Sequence, residues 1–172
     1  MELKFKKELI AEAVKCEICK PFESKLAEAK SVGELLAMYI AGIDFCLEKN
    51  FPSNDFLIKN AGEELVNFGI HIDKEIDLTN PQKAVLLGKT NANLNYNEFE
   101  TGEVFVKHNS KANINVGGNA YLVIDCFDNT ETSVIAYGDA KVLLNIYKGA
   151  KVTTACVNHA VISEVKKNKI SY

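Results

Sequence analysis

Arginine and tryptophan are both absent from these 172 residues, and all 20 basic residues are lysine. Without arginine's planar fork the chain has no bidentate donor for phosphate, carboxylate or guanine edges, and a net charge of −3 sets up no field that gathers a polyanion. Specific nucleic-acid binding is not expected. No apolar run approaches the roughly 20 residues that span a bilayer, so no membrane partner is expected either. The opening MELKFKKELIAEAVK interrupts its apolar positions with charges, reads as a helix and not as a signal peptide, and predicts a cytoplasmic chain.

Catalytic signatures are missing too. There is no G-x-S-x-G, H-E-x-x-H, P-loop or G-x-G-x-x-G, so no residue is assigned a catalytic role and no cofactor is implied. Five cysteines, an odd number, fit free thiols in a reducing compartment better than a disulfide framework. Cys16 and Cys19 form the one close pair, but zinc normally takes four ligands, and His71, His108 and His159 lie far off in sequence. The pair reads as small buried residues at a helix end, and no metal site is predicted. Asp125 and Asp128 flank Phe127 without the further oxygen ligands that a calcium loop needs.

The chain does contain two textures. Residues 1–80 hold 10 lysines against 15 acids, a balance of −5, and residues 81–172 hold 10 against 8, a balance of +2. In the first part apolar residues recur at helical spacing: Phe5, Leu9, Ile10 and Ala13, then Phe22, Leu26 and Ala29 after Pro21. Ser31 and Glu34 have capping-box spacing ahead of one longer helix through SVGELLAMYIAGIDFCLEKN, apolar nearly all round. Ser53 or Asn54 caps a last helix that should run through Phe68 and stop at Gly69.

Beyond Gly69, β-branched and aromatic residues alternate with polar ones, and Gly and Asn punctuate them every eight to twelve residues. Short runs restart at 84, 102, 120, 140 and 160, with an intervening series at 92, 112, 132 and 150, giving steps of 18 or 20. Fixed-period self-similarity of this size is the signature of stacked coils. An antiparallel sandwich also suits strands so spaced, but the near-constant alanine or threonine opening each run favours a coil turning a tight corner. The expected fold is α+β: an α-helical domain over residues 1–70, a connector over 71–83, a short β-solenoid (β-helix) of about four coils over 84–165, and a basic tail over 166–172.

On this alignment Leu87, Phe105, Val123 and Leu143 form an apolar outward ladder, which must be covered by the helices or by a second copy of the chain. The other sheet presents Asn93, Asn95, Asn113, Asn115, Ser133 and Thr153, a polar face suited to a small ligand or glycan, with Tyr96 and Tyr137 at its edge. Gly117-Gly118-Asn119 reads as a coil corner, and His108 and His159 as corner residues.

The coil length is similar to that of hexapeptide-repeat acyltransferases, but their six-residue aliphatic-Gly rhythm is missing, so the likeness is one of architecture. The helical start followed by VFVKHNSKANINVGGNAYLVIDCFDN resembles a set of uncharacterised proteins of phages and mobile elements of gut bacteria, across most of the chain. That resemblance implies a phage-associated, non-enzymatic structural or interaction protein, cytoplasmic or virion-associated, whose partner is itself or another protein. It carries no activity and no functional residues.

Overall fold

The computed structural model describes residues 5–172, in two compact units: a helical one that ends at Phe68 and a β unit of Gly69–Ser171. In the helical unit α1 (Lys6–Lys15) buries Leu9 and Ala13, and α2 (Lys20–Glu28) carries Pro21 in its first turn, where the missing N–H has no helical partner to lose. The helix α3 (Val32–Ala41) is capped by Ser31, whose Oγ accepts the Glu34 N–H at 3.1 Å, while the Glu34 carboxylate accepts the Lys30 N–H at 2.7 Å. That is the capping box read in the sequence, shifted by one backbone donor.

The single long helix expected here is two. Gly42, at φ −113° and ψ 34°, ends α3 and opens α4 (Ile43–Lys49). A β-carbon at residue 42 would lie 3.3 Å from the Phe22 ring, so the break falls where α2 packs closest. The last helix, α5 (Asn54–Ala61), is capped by Ser53, whose Oγ accepts the Phe56 N–H at 3.3 Å. It stops short of Phe68 because Gly62 turns left-handed (φ 53°), and Gly62–Phe68 continues as a 3₁₀ helix.

The β unit is a parallel two-sheet solenoid. One sheet, A, stacks β1 (Ile70–Ile72), β3 (Lys83–Leu87), β5 (Thr101–Val106), β7 (Tyr121–Cys126), β9 (Lys141–Ile146) and β11 (Val161–Lys166). The other, B, stacks β2 (Glu75–Thr79), β4 (Asn91–Tyr96), β6 (Lys111–Val116), β8 (Glu131–Ala136) and β10 (Lys151–Cys156). Five coils result, one more than expected, because the predicted connector forms β1 and β2. That first coil is short: Ile70 stands beside Val85 and Glu75 beside Asn91, so it breaks the period that revealed the others.

From β3 onward the step is 20 residues throughout, as in Ala84–Val104–Ile124–Leu144, and the steps of 18 are not there. Two kinds of small residue had been merged into one column. Ala92, Ala112 and Thr132 point inward as the second residue of a strand, whereas Ala120 and Ala140 are the last residue of a corner. Both sets are buried, the second because the chain turns inward there. In strands from Asn91 on, residues numbered 2, 4 and 6 within each ten face the interior, and side chains such as Leu94, Ile114, Leu122, Ile124 and Leu144 are fully buried in one core.

Corners repeat as regularly as strands. The residues numbered 88, 98, 108, 118, 128, 138 and 158 all have positive φ, and glycine occupies 88, 118 and 138. At Gly118 a β-carbon would lie 2.7 Å from the Glu98 backbone nitrogen, so that corner needs glycine for space as well as for its dihedral. The hydroxyls of Thr90 and Thr130 donate to the carbonyls of Leu87 and Phe127 at 2.8 Å, satisfying corner groups that no strand reaches.

The last coil is uncovered. Its inward positions Thr154, Cys156, Glu164 and Lys166 are exposed, and Thr154 Oγ1 and Glu164 Oε1 hydrogen-bond across the two sheets at 2.9 Å. Polar residues thus replace aliphatics at the open end, as terminal repeats require. No helix of the described residues is long and apolar enough to cross a membrane.

Candidate functional site

The corner leading from sheet A to sheet B concentrates ionisable groups. Lys107, only 2% exposed, sets its ammonium 3.1 Å from Asp128 Oδ2 and 5.4 Å from the centre of the Phe127 ring. Phe127 in turn stacks on Tyr147 at 4.4 Å. Asp128 Oδ2 also accepts the His108 N–H at 3.0 Å, and His108 Nδ1 accepts the Gly88 N–H at 3.0 Å. Burial, then the Lys107 charge, lowers the His108 pKa, with Asp128 and Asp73 opposing, so the ring is neutral at neutral pH and acts as an acceptor. His71, buried at the start of the solenoid, is lowered by burial as well.

Both imidazoles therefore bind protons less readily folded than unfolded, and their contribution to stability is complete above the unfolded pKa and lost as pH falls below about 6.5. Urea midpoints should drop between pH 7 and pH 5, and His108→Asn, which suits the left-handed corner, should flatten that drop. An unchanged slope in the variant would remove His108 from this account. This corner is a structural device: every group is turned toward its neighbouring coil.

The predicted ladder is only partly one column. Val123, Leu143 and Ser163 do stack, but Glu103 is the neighbour of Val123, while Phe105 belongs beside Val85, Asp125 and Asn145, and Leu87 beside Ile72. The error is a two-residue register shift, which preserves the outward face and changes the neighbours. Leu87 and Phe105 are buried, Val123 and Leu143 half-buried, and Lys83 lies over the Phe105 ring while pairing with Glu103.

On sheet B all six predicted polar residues face outward. Their columns are Asp77–Asn93–Asn113–Ser133–Thr153 and Thr79–Asn95–Asn115–Ile135–Ala155, so Thr153, not Lys151, follows Ser133. The amides are engaged with one another: Asn93 donates to Asp77 at 2.7 Å, Asn113 to Asn93 at 3.0 Å and Asn115 to Asn95 at 3.0 Å. Asparagine ladders give these residues a place in coil stacking. Tyr96 is not at this edge but fully buried, and its ring fills the space left by Gly102, where a β-carbon would come within 2.7 Å of it.

The opposite corner, from sheet B to sheet A, is different. Phe99 (79% exposed), Tyr121, Tyr137, Val157 and Val161 all stand exposed at it or on its sheet-A flank, and the β unit's other exposed large apolar residues, Ile135, Val165 and Ile170, lie elsewhere. Tyr137 crosses Gly117 and donates to Asn97 Oδ1 at 3.1 Å, which pins the ring over two coils. Asp139, His159 and Lys141 lie among these side chains.

In the helical unit a partly open cavity of about 280 Å³ lies among Phe22, Leu35, Met38, Phe45, Phe51 and Phe56, with Tyr39 and Cys46 in its wall. Burial pushes the Cys46 thiol up to about 12 and raises Tyr39 as well. Periodicity in the sequence marked these residues as core and gave no sign that the core would stay open. Cys16 and Cys19 flank the α1–α2 turn, half-buried and exposed respectively, so the expectation that both are buried holds for neither.

Free thiols test this placement. At pH 8, Cys19 and Cys156 should react quickly with an aromatic disulfide reagent, whereas Cys46 and Cys126, both raised to about 12 mainly by burial, should react only on unfolding. Fast native reaction of Cys126 would contradict its inward position. No group of three or more His, Cys, Asp or Glu side chains that could hold a metal occurs among the described residues. No family model matches the chain, and no curated protein or solved structure matches it.

Proposed function

We propose that the protein is a non-enzymatic assembly module whose solenoid presents the sheet B to sheet A corner to a second copy of the chain. The observation that carries this reading is the gathering of Phe99, Tyr121, Tyr137, Val157 and Val161 at one corner, while the sheet faces carry ladders of asparagine and ion pairs. Exposed aromatics on a rigid backbone lose little entropy on association and are the side chains that anchor interfaces. The charges among them, Asp139 against Lys141 and His159, have both signs, which suits an isologous contact between identical strips. The likeness to phage and mobile-element proteins leans toward an assembly role of this kind.

Light scattering tests it. Wild-type protein should have twice the 19.0 kDa chain mass, and Tyr121→Glu with Val161→Glu, which sets a carboxylate on either side of Lys141, should give a folded monomer. A wild type that stays monomeric at high concentration, or a dimer that ignores these charges, would overturn the proposal.

A further inference from the structure

We propose that the helical unit is a binding site for an uncharged, ring-containing apolar small molecule, held in the cavity between α2, α3, α4 and α5. Protein interiors pack as densely as organic crystals, so an apolar space of about 280 Å³ in a unit this small is an exception that calls for an occupant. An engineered apolar cavity of about 150 Å³ takes up benzene. By that measure the space here suits a molecule roughly twice benzene's size.

The chemistry of the wall narrows the class. Phe22, Phe45, Phe51 and Phe56 supply ring faces and edges, and Phe45 and Phe51 already meet edge to face at 6.1 Å. Among the described residues no basic side chain lines the cavity, and the one charged group is the exposed carboxylate of Glu17. A carboxylate or sulfonate ligand would thus lose its hydration and meet no cation, which disfavours fatty acids. Tyr39 and Cys46 keep their protons and offer the wall weak, neutral hydrogen-bonding groups. A helix-shaped protein partner is the other occupant such a space could admit, but a cavity of this volume encloses a small molecule and only a side chain or two of a helix.

The test uses full-length protein with 1-naphthol and its anionic counterpart 1-naphthalenesulfonate. Naphthol should bind saturably and raise the melting temperature, with the sulfonate at least tenfold weaker. Leu35→Trp, which fills the half-buried wall of the cavity, should weaken naphthol binding at least tenfold with far-UV circular dichroism unchanged. If that variant does not fold, Met38→Trp serves instead, since Met38 is also half-buried in the wall. No saturable naphthol binding, equal binding of the sulfonate, or binding that survives both substitutions would overturn the proposal.

Discussion

Replacing Asp128 by Asn should cost about 3–5 kcal/mol of stability, the range for removing one partner of a buried ion pair. Asparagine keeps the left-handed corner conformation (φ 54°) and nearly the same shape, so the substitution isolates the charge. What it leaves behind is the Lys107 ammonium, almost wholly buried, with only the face of Phe127 near it. Adding Lys107→Met should recover most of the loss, because a pair replaced by apolar volume is often neutral or better. Equilibrium urea unfolding of the two single variants and the double variant measures this. A loss under about 1 kcal/mol in Asp128→Asn, the scale of an exposed pair, would mean that solvent reaches Lys107.

A second large effect is expected in one inward column, read along its length. Ile124 is fully buried in the middle of the stack, and Ile124→Ala should cost about 2–5 kcal/mol through lost transfer energy and the cavity left behind. Two coils on, the same column ends at the exposed Glu164. There Glu164→Ala should change stability by no more than about 0.5 kcal/mol, the usual range for a surface site. Comparable losses at both positions would mean that the final coil is covered, and that the polar end is not an end.

Much of this architecture is legible in the sequence because a solenoid states the same local problem every ten residues. Ala140, Ala150 and Ala160 restart visibly since each coil must turn inward at the same place, and His108, Gly118 and Asp128 recur because the corner needs a left-handed residue. Register was harder. Alanine and threonine suit both the end of a corner and the second strand position, so Ala84, Ala120 and Gly102 could be laid over one another two residues out of step while every inward residue stayed inward.

The first coil escaped for a different reason: IHIDKEIDLT lies 15 or 16 residues from its neighbours, and a short coil has no period to match. Lysine at position 107 gives no hint of burial, because its partner is 21 residues away in the next coil. The helical cavity is the least legible feature. Apolar spacing along α3 and α4 says which faces turn inward, and whether those faces meet is settled only by the break at Gly42 and by how Phe22 and Phe45 pack.

The account rests on a constant 20-residue coil, and cross-linking reads that step directly. With Cys19 and Cys156 replaced by serine to remove the exposed native thiols, the pair Ser133→Cys and Thr153→Cys sits on adjacent strands in register, within the usual Cα separation for a disulfide. Mild oxidation should close that pair within one chain, detected as a faster-migrating monomer on a non-reducing gel. Ser133→Cys with Lys151→Cys, offset by two residues, should stay open. Closure of the 18-residue pair in preference to the 20-residue pair would contradict the register and the corner built from it.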